Sequence, residues 1–159
     1  MDKVIQEIKT AFADTPYPSD SNIGTFELDI SFRGLHWKNV SWELLFYHRD
    51  AITSFTPEGF RLYLPAILLG ILLHHKEVDT LTETLIANLV PLKEDDPAYS
   101  YWGVKLNRIV ELMSTNEKRA VYKFLLKYLD LYPTDDWGYG EKGKSNLIAA
   151  SQFWATVSE

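Results

Sequence analysis

The chain has 159 residues, with 16 Lys and Arg against 22 Asp and Glu, a net charge of −6, 46% hydrophobic residues and no cysteine. That length and apolar content describe one domain, residues 1–159, large enough to bury its own core, and they exclude a disordered or collagen-like chain. Without cysteine there is no disulfide framework, thiolate nucleophile or Cys-bearing zinc or iron–sulfur site, and an acidic chain with no concentrated Lys/Arg face is expected to bind no nucleic acid.

From the N-terminus, Val4, Ile5, Ile8 and Phe12 fall on one helical stripe that ends before Pro16. The same segment mixes acids and bases with its apolar residues and lacks the unbroken apolar core of a signal peptide, so a cytoplasmic protein is expected. Pro16 to Thr25 is rich in Pro, Ser, Asp and Asn and reads as a surface connection. Phe26, Leu28, Ile30 and Phe32 alternate with polar residues, which suits a half-buried strand. A short helix using Phe26 and Ile30 at i, i+4 is the alternative, since no second alternating run offers a partner strand.

Ser41 is placed to cap a helix that carries Trp42, Leu45 and Phe46 inward, and Thr56-Pro57-Glu58 is a second start signal. From Phe60 to Leu73 the chain is apolar on nearly every face, so this helix is expected at the centre of the fold, kinked or divided at Pro65. The apolar stretch from Tyr63 to Leu73 is far shorter than the ~20 residues that cross a bilayer, and no membrane association is expected. Thr80 to Glu83 reads as a capping box ahead of Leu81, Leu85 and Leu89, with Pro91 as terminator. Leu106, Ile109, Val110 and Met113 form the next stripe. Ser114 to Glu117 is a second capping box, followed by Val121, Phe124, Leu125 and Tyr128. A Gly-rich acidic connection from Pro133 leads to a last helix from about Ser145, bearing Leu147, Ala150, Trp154 and Val157. The fold class is therefore mainly α: about six or seven helices around one buried, proline-containing helix, with at most a small β element near residues 26–32.

Gly138-Tyr139-Gly140-Glu141-Lys142-Gly143-Lys144-Ser145 satisfies G-x-x-x-x-G-K-[ST], the phosphate-binding loop pattern. In that role Gly138 and Gly143 would let backbone N–H groups cradle phosphates, Lys144 would meet the outer phosphates and Ser145 would hold Mg²⁺. The preceding Tyr132-Pro133-Thr134-Asp135-Asp136-Trp137 cannot be the buried strand such a loop follows, and Asp135, Asp136 and Glu141 repel phosphate. Ser145 as the cap of the last helix is the simpler expectation.

His74 and His75 stand at the C-terminal end of the central helix, where a protonated imidazole favours the helix dipole. Adjacent histidines point about 100° apart, unlike the i, i+4 pair of helical zinc motifs, so no metal site is expected. Glu94-Asp95-Asp96 lies between two prolines and reads as a solvated connection. His36 and His48 flank aromatic segments without an indicated nucleophile, and no G-x-S-x-G elbow is present. Five tryptophans are among the 14% aromatic residues. Trp102, Trp137 and Tyr139, beside Asp135 and Asp136, are candidates for an exposed recognition surface, because Trp and Tyr bury large area at low entropic cost.

Trp37 with the aromatic helix after it, Phe55-Thr56-Pro57-Glu58-Gly59-Phe60-Arg61-Leu62-Tyr63-Leu64-Pro65-Ala66, the Phe124-Leu125 pair and the Ala150 to Trp154 ending together resemble a family of small bacterial proteins known only as a domain of unknown function. The central segment is similar to that family's "pe-a-F-r-y-Y-L-P-A" signature. The resemblance implies a shared helical fold and a bacterial cytoplasmic protein, and it supplies no catalytic residues. The functional expectation is a non-enzymatic protein-binding module, of the inhibitor or immunity kind, whose partner is another protein and which needs no cofactor. The alternative is a nucleotide-binding protein using residues 138–145.

Overall fold

The computed structural model describes residues 1–25, 30–132 and 141–159. The first helix, α1 (Asp2–Ala11), buries Ile5 and Ile8, and Phe12 just beyond it is fully enclosed. Each such side chain contributes about 1.5–3 kcal/mol by leaving water, which fixes the face α1 turns inward. A 3-10 turn, Asp20–Asn22, then leads to Ile23, whose carbonyl accepts from the Thr56 N–H at 2.9 Å. Gly24 forms an isolated antiparallel bridge with Phe55.

The alternation across 26–32 does not describe its own end. Residues 26–29 lie outside the described residues, and 30–32 are helical. Ile30 is 77% exposed while Phe32 is fully buried, so the two do not share a face as a strand would require. Neither does Ile30 serve as the buried anchor of the helical alternative. What holds Phe32 is an aromatic cluster, with Phe55 at 5.2 Å and Tyr63 at 5.0 Å between ring centroids. No strand occurs among the described residues, and the mainly α expectation stands.

After a 3-10 turn at Trp37–Asn39, α2 (Trp42–Tyr47) is capped by Ser41, whose hydroxyl accepts from the Leu44 N–H at 3.2 Å. A longer 3-10 segment, Arg49–Ser54, delivers the chain to α3 (Pro57–Leu73). Thr56 caps α3, accepting from the Gly59 N–H at 3.0 Å while its own hydroxyl donates to the Asn22 carbonyl at 2.9 Å. Gly59 permits this approach, because a Cβ there would collide with the Ile23 carbonyl oxygen.

Every residue from Leu62 to Leu68 is buried, so α3 is the centre of the fold. Pro65 does not divide it. The helix runs unbroken through Pro65, with only the Arg61 carbonyl deprived of its i+4 donor, because the apolar contacts on all sides outweigh one lost hydrogen bond. Tyr63 donates from its buried hydroxyl to the Leu35 and Phe32 carbonyls at 2.9 and 3.0 Å.

The second half of the chain comprises α4 (Asp79–Leu89), a π-helical turn Tyr99–Gly103, α5 (Val104–Leu112), α6 (Thr115–Leu131) and α7 (Glu141–Val157). Leu81, Leu85 and Leu89 are buried as their spacing predicts, but Thr80 does not open a capping box. Its helix already starts at Asp79, with Val78 at the cap position and no capping side-chain bond. The turn from His74 to Val78 feeds directly into the helix, since the Val78 N–H already donates to the His74 carbonyl at 3.1 Å. At Ser114 the capping box is complete in both directions: Ser114 Oγ accepts from the Glu117 N–H at 3.2 Å, and the Glu117 carboxylate accepts from the Ser114 N–H at 2.6 Å.

α3 touches α1, α2, α4, α5 and α6, while α6 also packs on α1 and α7, and α7 on α4. Trp154 on α7 is fully buried and donates through Nε1 to the Leu89 carbonyl at 3.1 Å, joining α7 to α4. Glu117 joins α6 to the rest. It is 2% exposed and takes a bidentate pair from Arg61 at 3.0 and 3.1 Å plus the Thr15 hydroxyl at 3.0 Å. A carboxylate this deep needs all of these donors, because desolvation of an unpaired charge costs several kcal/mol.

Candidate functional site

A mainly apolar groove lies on one side of α3. It has a volume of about 530 Å³ and lies where α1, the Trp37–Asn39 turn and the start of α2 leave one face of α3 uncovered. Ala66, Leu69, Gly70 and Leu73 form its floor. Their spacing, i, i+3, i+4 and i+7, is one helical stripe two turns long. Leu73 is 56% exposed, an unusual position for the last leucine of a core helix.

The aromatic wall is fixed from behind. Trp37 is buried and donates through Nε1 to the Phe12 carbonyl at 3.0 Å, which ties the turn to the end of α1. Trp42 stacks on His74 with centroids 4.7 Å apart, and both line the groove. Gly70 faces the same tryptophan, with the Trp42 Cβ 3.4 Å from where a Cβ on Gly70 would stand. His74 is the C-cap of α3, its N–H donating to the Gly70 carbonyl at 2.8 Å.

Charge on the groove has one sign. Lys9 of α1 and Lys38 of the turn stand on its rim, both exposed, and no Asp or Glu is among the described residues of its wall. Lys38 Nζ donates to the Ala13 carbonyl at 3.1 Å and lies 5.7 Å from the Trp37 ring, which holds the cation beside the apolar floor. An ammonium has three donors, so that single bond leaves others for a ligand. A second groove, of about 640 Å³ between α1 and α6, is different in kind: Lys3, Arg119 and Lys123 share it with Glu7 and Asp14, and Lys123 pairs with Glu7 at 2.7 Å.

Of the residues singled out from sequence, only some can be placed. Asp135, Asp136, Trp137, Gly138 and Tyr139 lie outside the described residues. Trp102 is 38% exposed in the π-helical turn, edge-on to Tyr101 with centroids 4.5 Å apart. Beside it Lys105 Nζ donates to the Thr53 carbonyl and lies 5.5 Å from the Trp102 ring and 5.8 Å from Phe60. Burial brings the Lys105 ammonium down to a pKa of about 8.

Gly143, Lys144 and Ser145 lie within α7, which begins at Glu141, so Ser145 is an interior helical residue and not the cap. Lys144 and Ser145 are exposed. His75 Nδ1 lies 3.0 Å from the Tyr128 hydroxyl, and its ring stacks on Tyr132 at 3.7 Å, so the adjacent histidines do serve separate contacts. His36 Nε2 meets the Thr15 carbonyl at 3.1 Å, and the His48 ring meets Phe32 edge-on. Glu94, Asp95 and Asp96 are exposed in a turn. Among the described residues no three His, Asp or Glu side chains gather as a metal site, and no helix is long and apolar enough to cross a membrane.

Sequence reasoning missed the groove. The signal available was the stripe Ala66, Leu69, Gly70, Leu73, in which two small residues mark a face where something comes close. No protein-family model, curated protein or solved structure matches this chain.

Proposed function

We propose that this protein is a non-enzymatic protein-binding module and that the groove on α3 is its docking surface. One observation carries this reading: the apolar stripe of α3 that ends in the exposed Leu73 and is walled by Trp37 and Trp42. An apolar surface held open beside anchored tryptophans is the composition of an interface centre, where aromatic anchors dominate binding energy. The groove follows two turns of α3, which suits a segment of another chain.

Site-specific photocross-linking tests it. With p-benzoylphenylalanine in place of Leu73, irradiation in a bacterial lysate is expected to give one dominant protein adduct. The same group in place of Tyr47, which is 80% exposed and outside the groove, should not give it. Identical adducts from both positions, or none from Leu73, would count against the groove as a protein-docking surface.

A further inference from the structure

The groove's charge and shape together narrow its occupant. The chain carries 22 acidic residues, and none of the described ones lines this groove, whose rim is formed by Lys9 and Lys38. Asp14, one residue from the groove-lining Ala13, lines the α1–α6 groove instead. A protein of net charge −6 repels an acidic partner at long range, so a positive rim beside an apolar floor favours where such a partner lands.

The floor also has the relief of a helix-packing surface. Ala66 and Gly70 lie buried at the base of the floor, with Leu69 partly buried and Leu73 exposed beside them, so the contact surface is the leucine edge of the stripe. Side chains of a second helix pack against that edge as ridges into a groove. The stripe spans seven residue steps, about 10 Å, so the contact covers two turns of an incoming helix. A free segment that short is marginally helical in water and would order on docking.

We propose that the groove takes an amphipathic helical segment of a partner protein, with leucine-like residues at i, i+3, i+4 and i+7 on one face and Asp or Glu beside that face to meet Lys9 and Lys38. This rests on the protein-docking reading of the groove and specifies the partner's chemistry. Recognition is of the helix-in-groove kind, with the apolar face supplying affinity and the carboxylates supplying orientation and partner choice.

The test uses three probes on the full chain, read through the indole N–H resonances of Trp37 and Trp42 in ¹H–¹⁵N spectra. One is a designed peptide of about fourteen residues with Leu at the four anchor positions and Glu flanking them; the second replaces every Glu by Lys; the third is dodecanoate, a free apolar carboxylate. The Glu peptide is expected to shift both indoles and to bind at least about tenfold more tightly than the Lys peptide at low salt, the gap closing near 1 M salt as exposed charges are screened. The double variant Lys9→Glu/Lys38→Glu should reverse the preference, a gain of binding that damaged folding cannot produce. Equal binding of the two peptides, binding of neither, or dodecanoate displacing the Glu peptide while the peptide fails to displace dodecanoate would each overturn the proposal. If an adduct still forms at Leu73 while the peptides show no charge preference, the partner's chemistry is wrong and the docking surface stands. A charge-selective peptide with no protein adduct upholds the chemistry of the groove and counts against a partner protein in the lysate.

Discussion

At the scale of single residues, the fold rests on polar groups placed where only one arrangement satisfies them, and Lys105 is the one whose cost can be read directly. Its ammonium sits beside the Phe60 and Trp102 rings with the Thr53 carbonyl as acceptor, and burial lowers its folded-state pKa to about 8. An unfolded lysine titrates near 10.4, so between about 8 and 10 the unfolded chain holds more protons at this site than the folded one. Stability therefore rises with pH across that window, and the full cost of the buried charge stands below it, with a ceiling of about 1.4 kcal/mol per pH unit. Tyr63 acts in the opposite sense at higher pH. Burial first, then Tyr17 and Asp20, raise its pKa, so the folded chain keeps the proton longer and loses stability above the ordinary tyrosine value. Urea unfolding between about pH 7.5 and 9.5 should show a gain in the wild type relative to Lys105→Met, with groups common to both chains cancelling in the difference.

At the scale of elements, helix starts decide how well the chain could be read. Ser114→Ala removes one half of the capping box on α6, and the expected loss is about 1 kcal/mol, seen as a lower urea midpoint with an unchanged slope. Ser41, Thr56 and Ser114 were legible because each cap is a local pattern: a hydroxyl followed by the first turn it closes. Thr80 carries the same pattern and fails, because the turn after His74 had already begun the helix before it. Ile30 and Phe32 show the limit from the other side. Alternation makes them equivalent, and only the aromatic cluster around Tyr63 and Phe55 decides that Phe32 is the one buried. The groove was illegible for a related reason. Lys9, Trp37, Trp42 and Leu73 come from four elements, and the stripe Ala66, Leu69, Gly70, Leu73 marks a face of α3 without revealing that no helix covers it.

At the scale of the whole molecule, the phosphate-loop pattern can be weighed against the architecture around it. Its described end, Glu141 to Ser145, is already helical, with Lys144 and Ser145 exposed, and no strand adjoins it among the described residues. Thermal unfolding with Mg-ATP or Mg-GTP is expected to leave the midpoint unchanged. A bound nucleotide at ~100 times its dissociation constant would add about 2.7 kcal/mol, several degrees in a domain of this size, and a rise abolished by Lys144→Ala would establish nucleotide binding.

The packing of α1 against α6 has a consequence for how the chain is made. Glu7 meets Lys123 and Thr15 meets Glu117, so the first helix and the turn after it find these partners only after more than a hundred further residues have been added. At about 5–20 residues per second, that interval is on the order of 5–20 s on the ribosome. Throughout it Ile5, Ile8 and Phe12 have no α6 to close over them, and the nascent chain presents an apolar helical face to whatever chaperone waits at the exit tunnel.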